Sequence, residues 1–220
     1  MMLAQYRSRV GAKLGLTNDA DANPTLIDAW VNEGYEDVLL RTRCKVRRAT
    51  IALTSGTYDY SLPTGVLTIL ELYNTSASVD YPMERLSLQE LLERRRATGT
   101  APARYYTTDG DLLTLYPTPG TGESLTVYYT PRPTALSATA DSPTDIPAEF
   151  HKLLEWYALV EGAEYDQSAG NGLTSLARYE NGIKMLRKYA RLRGGTRLAP
   201  IPLGRRRRYA QHDPSADVRW

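Results

Sequence analysis

The 220-residue sequence has few of the side chains that form catalytic or metal sites. Its single cysteine, Cys44, excludes an internal disulfide. Its two histidines, His151 and His212, have no second histidine or cysteine at metal-ligand spacing. P-loop, GxGxxG and GxSxG motifs are missing as well. These absences predict a protein with no catalytic, metal-binding or cofactor-binding residues, and therefore a protein that is not an enzyme.

Two residues are the remaining candidates for chemistry. Cys44 lies beside Arg43 and Lys45, whose positive charge would lower the pKa of its thiol. Without a partner motif it is interpreted as a structural cysteine. His151 follows Phe150 near the start of a predicted helix and is interpreted as a helix-surface or interface residue.

Long apolar runs are also missing. No run approaches the roughly 18 residues that a membrane-spanning helix needs. The first ten residues have no continuous apolar segment of the kind found in secretory signals. With 42% hydrophobic and 24% charged residues, the composition is typical of a globular chain with no membrane partner.

The sequence does have an uneven charge distribution. The formal net charge is +2, but residues 194–220 contain six arginines and two aspartates, a balance of +4. Residues 1–193 therefore carry the remaining −2. A slightly acidic body with a basic tail indicates a partner-binding arm more than a body that wraps nucleic acid.

The tail contains the strongest local signal. Pro200, Pro202 and Pro214 disfavour a helix over much of its length and favour an extended chain. Apolar and aromatic side chains are spaced among the arginines, and a purely solvating tail does not need them. We predict an extended basic arm whose binding residues are Ile201, Leu203, Arg205, Arg206, Arg207, Arg208, Tyr209 and Trp220.

The run of four arginines leaves other interpretations of the tail open. A solvated charged end, a nuclear import signal and a grip on DNA phosphates are each compatible with it. Arginine binds carboxylates and phosphates alike, so the run alone does not distinguish a protein partner from a nucleic acid.

Helical periodicity occurs at the start of the chain. Residues 2–15 have apolar side chains three and four apart and end at Gly15, which predicts a short amphipathic helix. Asn23 as N-cap and Pro24 as first residue predict a second helix that runs to about Arg43.

Helical periodicity returns after residue 146. One predicted helix runs from about Pro147 to Gln167, with Tyr165 on its apolar face. A second runs to about Arg193 and has a coiled-coil-like seam of Leu176, Tyr179, Ile183, Leu186 and Ala190.

Between these helices the apolar period changes. Short segments rich in β-branched and aromatic residues, separated by turn signals, predict antiparallel strands. Asp109 and Gly110 predict a type I′ hairpin with two residues at positive φ. Ser87 and Glu90 predict a capping box that opens a short helix ending at Gly99.

The order of elements predicts an α+β fold, in which N- and C-terminal helices form a bundle with an inserted antiparallel β lobe. We divide the chain into N-terminal helices over 1–45, the β lobe over 46–135 with a short helix at 88–97, a C-terminal helical pair over 146–193 that packs on the N-terminal helices, and the extended basic arm over 194–220.

Several segments in this order resemble the head-to-tail adaptor (connector) proteins of tailed bacteriophages. They include NPTLIDAWVNEGYEDVLLRTR, the strand run RRATIALTSGTYDYSLPTGVLTILELY, and DIPAEFHKLLEWYALVEGAEYD. The resemblance covers about residues 2–193 and rests on the order and spacing of the segments.

The resemblance implies a structural virion protein at the head–tail interface, in the neck. Such adaptors form a ring, typically of twelve copies, under the portal vertex. The implied partners are the portal protein and a tail, nozzle or tail-tube protein. Genomic DNA would pass through the channel without sequence-specific binding. C-terminal arms in the family commonly extend into the portal, and we infer this role for the basic arm.

Two rival functions remain open from the sequence. One is a different neck or tail-completion subunit of similar build. The other is a DNA-binding module that holds phosphates with the basic tail and the last helix.

Overall fold

The structure is a computed structural model that describes residues 1–15, 24–76, 79–96, 102–166 and 172–194. Within them the chain forms five α-helices: α1 (Leu3–Leu14), α2 (Pro24–Thr42), α3 (Leu88–Arg95), α4 (Lys152–Asp166) and α5 (Gly172–Gly194), with a 3₁₀ turn at Ala148–Phe150. The strands are β1 (Arg47–Ala52), β2 (Asp59–Ser61), β3 (Val66–Ser76), β4 (Val79–Pro82), β5 (Glu84–Arg85), β6 (Tyr105–Asp109), β7 (Leu112–Tyr116) and β8 (Ser124–Pro131). The predicted α+β fold is confirmed.

Local signals located the ends of the first two helices. Gly15 caps α1 in the left-handed region, with φ of 75°, as predicted. Pro24 is the first residue of α2, where its missing N–H costs no intrahelical bond. The predicted N-cap, Asn23, lies outside the described residues.

The capping box at the start of α3 is also confirmed, because Ser87 and Glu90 satisfy each other's backbone N–H groups. The helix ends at Arg95 and not at residue 97. The Arg96 N–H bonds to the Glu93 carbonyl, three residues back, and this contact tightens and closes the last turn. The predicted stop, Gly99, lies outside the described residues.

α4 is the central helix of the bundle and packs against α1, α2 and α5. Glycines allow the close crossings. A Cβ on Gly34 of α2 would lie 2.9 Å from the Tyr157 ring, and one on Gly182 of α5 would meet Leu153. The buried core of the bundle includes Leu3, Tyr6, Val10, Ile27, Val31, Tyr35, Val38, Leu153, Leu154, Ala158, Tyr179, Ile183 and Leu186.

Two positions predicted to face this core lie at the surface. Tyr165 is 72% exposed because it sits at the end of α4, where it contacts only the edge of the Trp30 ring. Leu176 is 41% exposed, and the smaller Ser175 occupies the buried position four residues before Tyr179. The rest of the predicted seam is buried.

The β lobe consists of two four-stranded sheets, in the orders β1-β8-β3-β4 and β2-β7-β6-β5. Side chains from both sheets form a second core that includes Leu72, Leu125, Val127, Tyr106, Leu113 and Leu115. The pairing is antiparallel except between β5 and β6. The prediction of purely antiparallel strands is wrong there because α3 connects β5 to β6 as a crossover, which makes the two strands parallel.

The turn between β6 and β7 differs from the predicted type I′ hairpin. Asp109 pairs with Leu112 in the ladder, so Gly110 and Asp111 are the two loop residues. Of these, only Gly110 has positive φ, 57°. A glycine at the first central position is the pattern of a type II′ turn.

The segment between β8 and α4 packs onto the bundle. Leu136 and Ile146 are buried in the bundle core. The Asn32 side chain donates to the Leu136 carbonyl at 3.1 Å and accepts from its N–H at 2.7 Å. This segment therefore has a fixed path across α2.

A buried carboxylate, Asp145, joins the bundle to the lobe. It accepts a hydrogen bond from the Tyr35 hydroxyl of α2 at 3.3 Å, and it forms an ion pair with Arg47 of β1 at 3.4 Å. Its backbone N–H donates to the same hydroxyl at 3.0 Å. Because a buried charge is stable only with such partners, this network fixes the first strand of the lobe relative to α2.

His151 anchors the start of the chain to the start of α4. Its ring is buried, with Nε2 3.0 Å from the Ile146 carbonyl and Nδ1 2.6 Å from the Met1 amino group. Its own carbonyl accepts from the Tyr6 hydroxyl at 2.9 Å. The interpretation of His151 as a surface or interface residue is wrong, because the ring is buried between the nearby Ile146 carbonyl and the amino group of Met1, which is distant in sequence.

The crossing of α2 and α4 makes a test of close packing. We expect Gly34→Ala to lower the free energy of unfolding by about 1 kcal/mol, because overpacking costs ~1–3 kcal/mol and the gain in helix propensity is at most ~1 kcal/mol. The atoms it meets are the Cβ and Cγ of Tyr157, which cannot move away as a side-chain tip can. Denaturant unfolding measures the change, with Asn181→Ala on the exposed side of α5 as control. A Gly34→Ala protein as stable as the control would refute the steric argument.

The His151 site makes a test by pH. Burial is the main cause that lowers the pKa of His151. As the pH falls, the imidazole of the unfolded chain is therefore protonated before that of the folded chain. The stability that neutral, buried His151 contributes is fully present above pH ~6.5 and is lost progressively below it. We expect the free energy of unfolding to fall between about pH 7 and pH 5, and to fall less in His151→Gln. Equal pH dependence in both proteins would contradict this assignment.

Candidate functional site

The structure describes none of the predicted binding residues of the arm. Ile201, Leu203, Arg205, Arg206, Arg207, Arg208, Tyr209 and Trp220 all lie outside the described residues. The last described residue is Gly194, at the end of α5. The arm would therefore continue directly from the last helix of the bundle.

The described surface of α5 is strongly basic. The helix has six basic residues and one acidic residue, Glu180. Among the described residues, none of the six basic side chains makes an ion pair; Arg187 instead donates to the Arg41 carbonyl at 2.9 Å, and Arg193 donates to the Tyr189 hydroxyl at 3.1 Å. Lys184 and Arg187 lie close enough to Glu180 to lower its pKa, but none of the six cations is in direct contact with a carboxylate of the described part of the protomer.

A hydrogen-bonded ion-pair network attaches α5 to α2. Arg41 binds Glu180 at 2.7 Å and Asp37 at 3.5 Å, and Tyr179 donates to Asp37 at 2.5 Å. The hydrogen bond to Glu180 raises the pKa of Arg41, and the same bond lowers the pKa of Glu180. Burial and the bond to Asp37 raise the pKa of Tyr179. The network fixes the orientation of α5, and with it the direction in which the basic side chains point.

A second charged surface, on α2 and α4, is acidic. Burial raises the pKa of Glu161, and the negative charges of Glu164 and Glu33 raise it further. Burial and the carboxylates of Glu161, Asp37 and Glu33 raise the pKa of Tyr157 to about 12. Within the described residues, Glu33, Glu161 and Glu164 form no ion pair with a cation. Their mutual repulsion is therefore not relieved by the described part of the protomer.

Large apolar side chains are exposed on both parts of the molecule. Leu88 and Leu92, one helical turn apart, form an apolar strip on the outer face of α3. On the bundle, the exposed apolar residues include Leu173, Met185 and Leu192 of α5. Exposed apolar residues on the same face as unpaired charges are typical of protein–protein contact surfaces.

The lobe has an open cavity of about 300 Å³ between the two sheets. Its walls combine apolar and polar side chains, and Arg85 and Asp111 are the charged residues that line it. Arg85 donates to the Thr108 hydroxyl at 3.1 Å. The lining contains no pairing of a nucleophile with a base.

The two candidates for chemistry have structural surroundings. Burial raises the pKa of the Cys44 thiol, so the lowering expected from neighbouring positive charges is wrong. His151 is buried at the bundle core, as described above. Over the described ranges, no cluster of histidine, cysteine and carboxylate side chains is suited to a metal ion, and no helix is long and apolar enough to cross a membrane.

Sequence reasoning identified the basic side of the last helix but missed the acidic surface. The three carboxylates come from two helices more than 120 positions apart in the sequence, and only the packing of α2 on α4 brings them together. In the sequence, the apolar strip of α3 consists of two leucines four positions apart. A buried helix face has the same spacing, so the sequence does not show that these leucines are exposed.

Comparison with known proteins identifies the family of the chain. The family model of the SU10 adaptor protein matches residues 1–205, which covers the bundle, the lobe and the first part of the tail. A search of the curated proteins finds no match for the chain. The chain belongs to the SU10 adaptor family, and it is a structural head-to-tail adaptor protein of a tailed bacteriophage.

Proposed function

We propose that the protein forms a ring under the portal, joins the capsid portal to the tail and lines the passage for the genome. The observation that carries this proposal is the family match over residues 1–205. Unpaired charges and exposed apolar side chains on the bundle support it, because a subunit of a ring has to present contact surfaces to its neighbours.

The assembly proposed is a homo-oligomeric ring of twelve copies in the neck of the virion. Its partners are the portal protein on the capsid side and a tail, nozzle or tail-tube protein on the other. The division into helices over 1–45 and 146–193, a β lobe over 46–135 and an arm over 194–220 assigns one part to each contact. The bundle and arm meet the portal, and the lobe meets neighbours or the tail.

The Asp145 network suits a protein that transmits force between two partners. The carboxylate holds Tyr35 of the bundle and Arg47 of the lobe at the same point. A junction that holds a buried, hydrogen-bonded carboxylate resists bending more than a solvated linker does. We therefore assign to this junction the task of holding the lobe in one orientation while DNA under pressure passes the ring.

The arm is proposed to dock between portal subunits. An arm of 27 residues reaches up to roughly 90 Å when it is fully extended, at about 3.3 Å per residue. Tyr209 and Trp220 would fill apolar pockets, and the arginines would pair with acidic portal groups. A segment that orders only on binding has low affinity as a single copy, and a ring of arms compensates through effective concentration.

A salt titration tests docking against the rival function of DNA binding. We expect the amount of protein that co-sediments with portal rings to change little between about 50 and 200 mM salt, because salt does not screen contacts between apolar anchors. DNA binding would instead fall with a log–log slope of about −0.9 per phosphate neutralised. If the protein does not co-sediment with portal rings and binds duplex DNA with such a slope, the adaptor-ring hypothesis is wrong and the DNA-binding hypothesis is supported.

Deletion of residues 194–220 tests the role of the arm. We expect the truncated protein to fold, because the described cores lie within residues 1–190, and to lose stable docking on portal rings. Circular dichroism and the unfolding midpoint report on the fold, and co-sedimentation reports on docking. A truncated protein that still forms a tight complex with portal rings would show that the arm does not dock.

Two substitutions distinguish apolar from electrostatic anchoring. We expect Trp220→Ala to weaken docking by about tenfold or more, since buried aromatic anchors contribute ~2 kcal/mol or more. Arg208→Ala is expected to weaken docking less than threefold, because one exposed arginine in a run of four contributes at most ~0.5 kcal/mol. Equal or reversed effects would indicate a contact driven by charge.

A further inference from the structure

The outer face of α5 has a second stripe, opposite the buried one. The buried side of the helix consists of Tyr179, Ile183, Leu186 and Ala190. On the solvent side, Arg178, Met185, Lys188 and Leu192 follow the heptad-like positions of a single face, with Lys184 and Arg191 beside them. We call these six residues the outer stripe.

The outer stripe combines two kinds of unpartnered group. Met185 is 64% exposed and Leu192 is 76% exposed. Its four basic residues make no ion pair with the described part of the protomer. A helix face that is only solvated needs no large apolar side chains at seam spacing, and therefore the stripe has the composition of a contact surface.

The same protomer contains a complementary surface. Glu33 of α2 and Glu161 and Glu164 of α4 form the acidic surface described above, and the exposed Tyr165 lies beside them. The outer stripe has cations and apolar groups, whereas the acidic surface has carboxylates and an exposed aromatic ring. Each surface offers what the other lacks.

The two surfaces do not meet within one protomer. α5 packs on α4 through its buried side, so the outer stripe points away from α4 and from α2. No ion pair joins the stripe to the three carboxylates among the described residues. A contact between them therefore has to involve two copies, and it is heterologous: the stripe of one copy meets the acidic surface of the next. Heterologous contacts are the kind that generate rings.

We propose that the outer stripe of α5 packs against the acidic α2–α4 surface of the neighbouring copy, and that this contact closes the ring. The inference rests on the proposed ring and names the surfaces that form it. Lys188 and Arg191 lie against Glu33 and Glu164 of the next copy. Met185 and Leu192 cover its Tyr165.

Duplex DNA is the other occupant that a basic helix face suits. Phosphates offer no apolar surface for Met185 and Leu192, whereas Tyr165 of a second copy does. A partner that supplies cations would also offset the negative charge that Glu33, Glu161 and Glu164 place together, and DNA phosphates would add to it. Both observations favour a second copy of this chain.

Charge reversal on each side, followed by mixing, tests the proposal. The first variant carries Lys188→Glu and Arg191→Glu, and the second carries Glu33→Lys and Glu164→Lys; all four side chains are exposed. Mass photometry follows ring formation, alone and on portal rings. We expect each variant alone to need about tenfold or more protein to assemble than the wild type, since like charges then face each other across every contact.

An equimolar mixture of the two variants is expected to assemble near the wild-type concentration. Each acidic stripe then meets a basic α2–α4 surface, and each basic stripe meets an acidic one, in rings that alternate the two variants. Arg48→Glu on β1 is the control and is expected to assemble as the wild type does, because it reverses an exposed arginine outside both bundle surfaces and outside the apolar strip of α3. Circular dichroism verifies that every variant is folded.

Three outcomes would overturn the inference. In the first, the Lys188→Glu and Arg191→Glu variant assembles as the wild type does. In the second, neither variant assembles alone and the mixture of the two folded proteins does not assemble either. In the third, the first variant forms rings and loses only its salt-dependent binding of duplex DNA. A wild-type protein that forms no ring, alone or on portal rings, would instead refute the proposed function, and this result is visible before any variant is made.

Discussion

The packing of three helices around α4 is the constraint on which the rest of the structure depends. A helix covered by α1, α2 and α5 leaves little room at each crossing, so glycines stand where α2 and α5 approach it most closely. Once α4 is enclosed, the polar groups around it have to find partners inside the bundle. His151 and Asp145 do so through contacts that reach the first helix and the first strand. The same packing sets which sides of α2, α4 and α5 remain for other molecules.

The surfaces left by this packing explain how a rigid subunit can serve an assembly. The Arg41 network attaches α5 to α2 and directs the basic residues outward. The acidic surface arises because α2 and α4 place three carboxylates together with no cation among the described residues. In the proposed ring each of these surfaces finds its partner on the next copy, as expected of a member of a family of phage adaptors.

Local chemistry made much of the fold predictable. Gly15, Pro24 and the box of Ser87 and Glu90 acted through backbone hydrogen bonds with near neighbours, and sequence patterns record such effects directly. Failures came where distant contacts decide. Ser175 is buried in place of Leu176. The crossover through α3 makes one strand pair parallel. Tyr6, which donates a hydrogen bond to the backbone of His151, is distant from it in sequence. The acidic surface was invisible for the same reason.

The central claim is that this adaptor works as a ring on the portal, and native mass tests it most directly. The purified protein is measured alone and after mixing with portal rings from the same particle. The account predicts one discrete complex whose mass corresponds to a portal ring plus a full ring of adaptor copies. A chain that remains monomeric in the presence of portal rings would contradict the account.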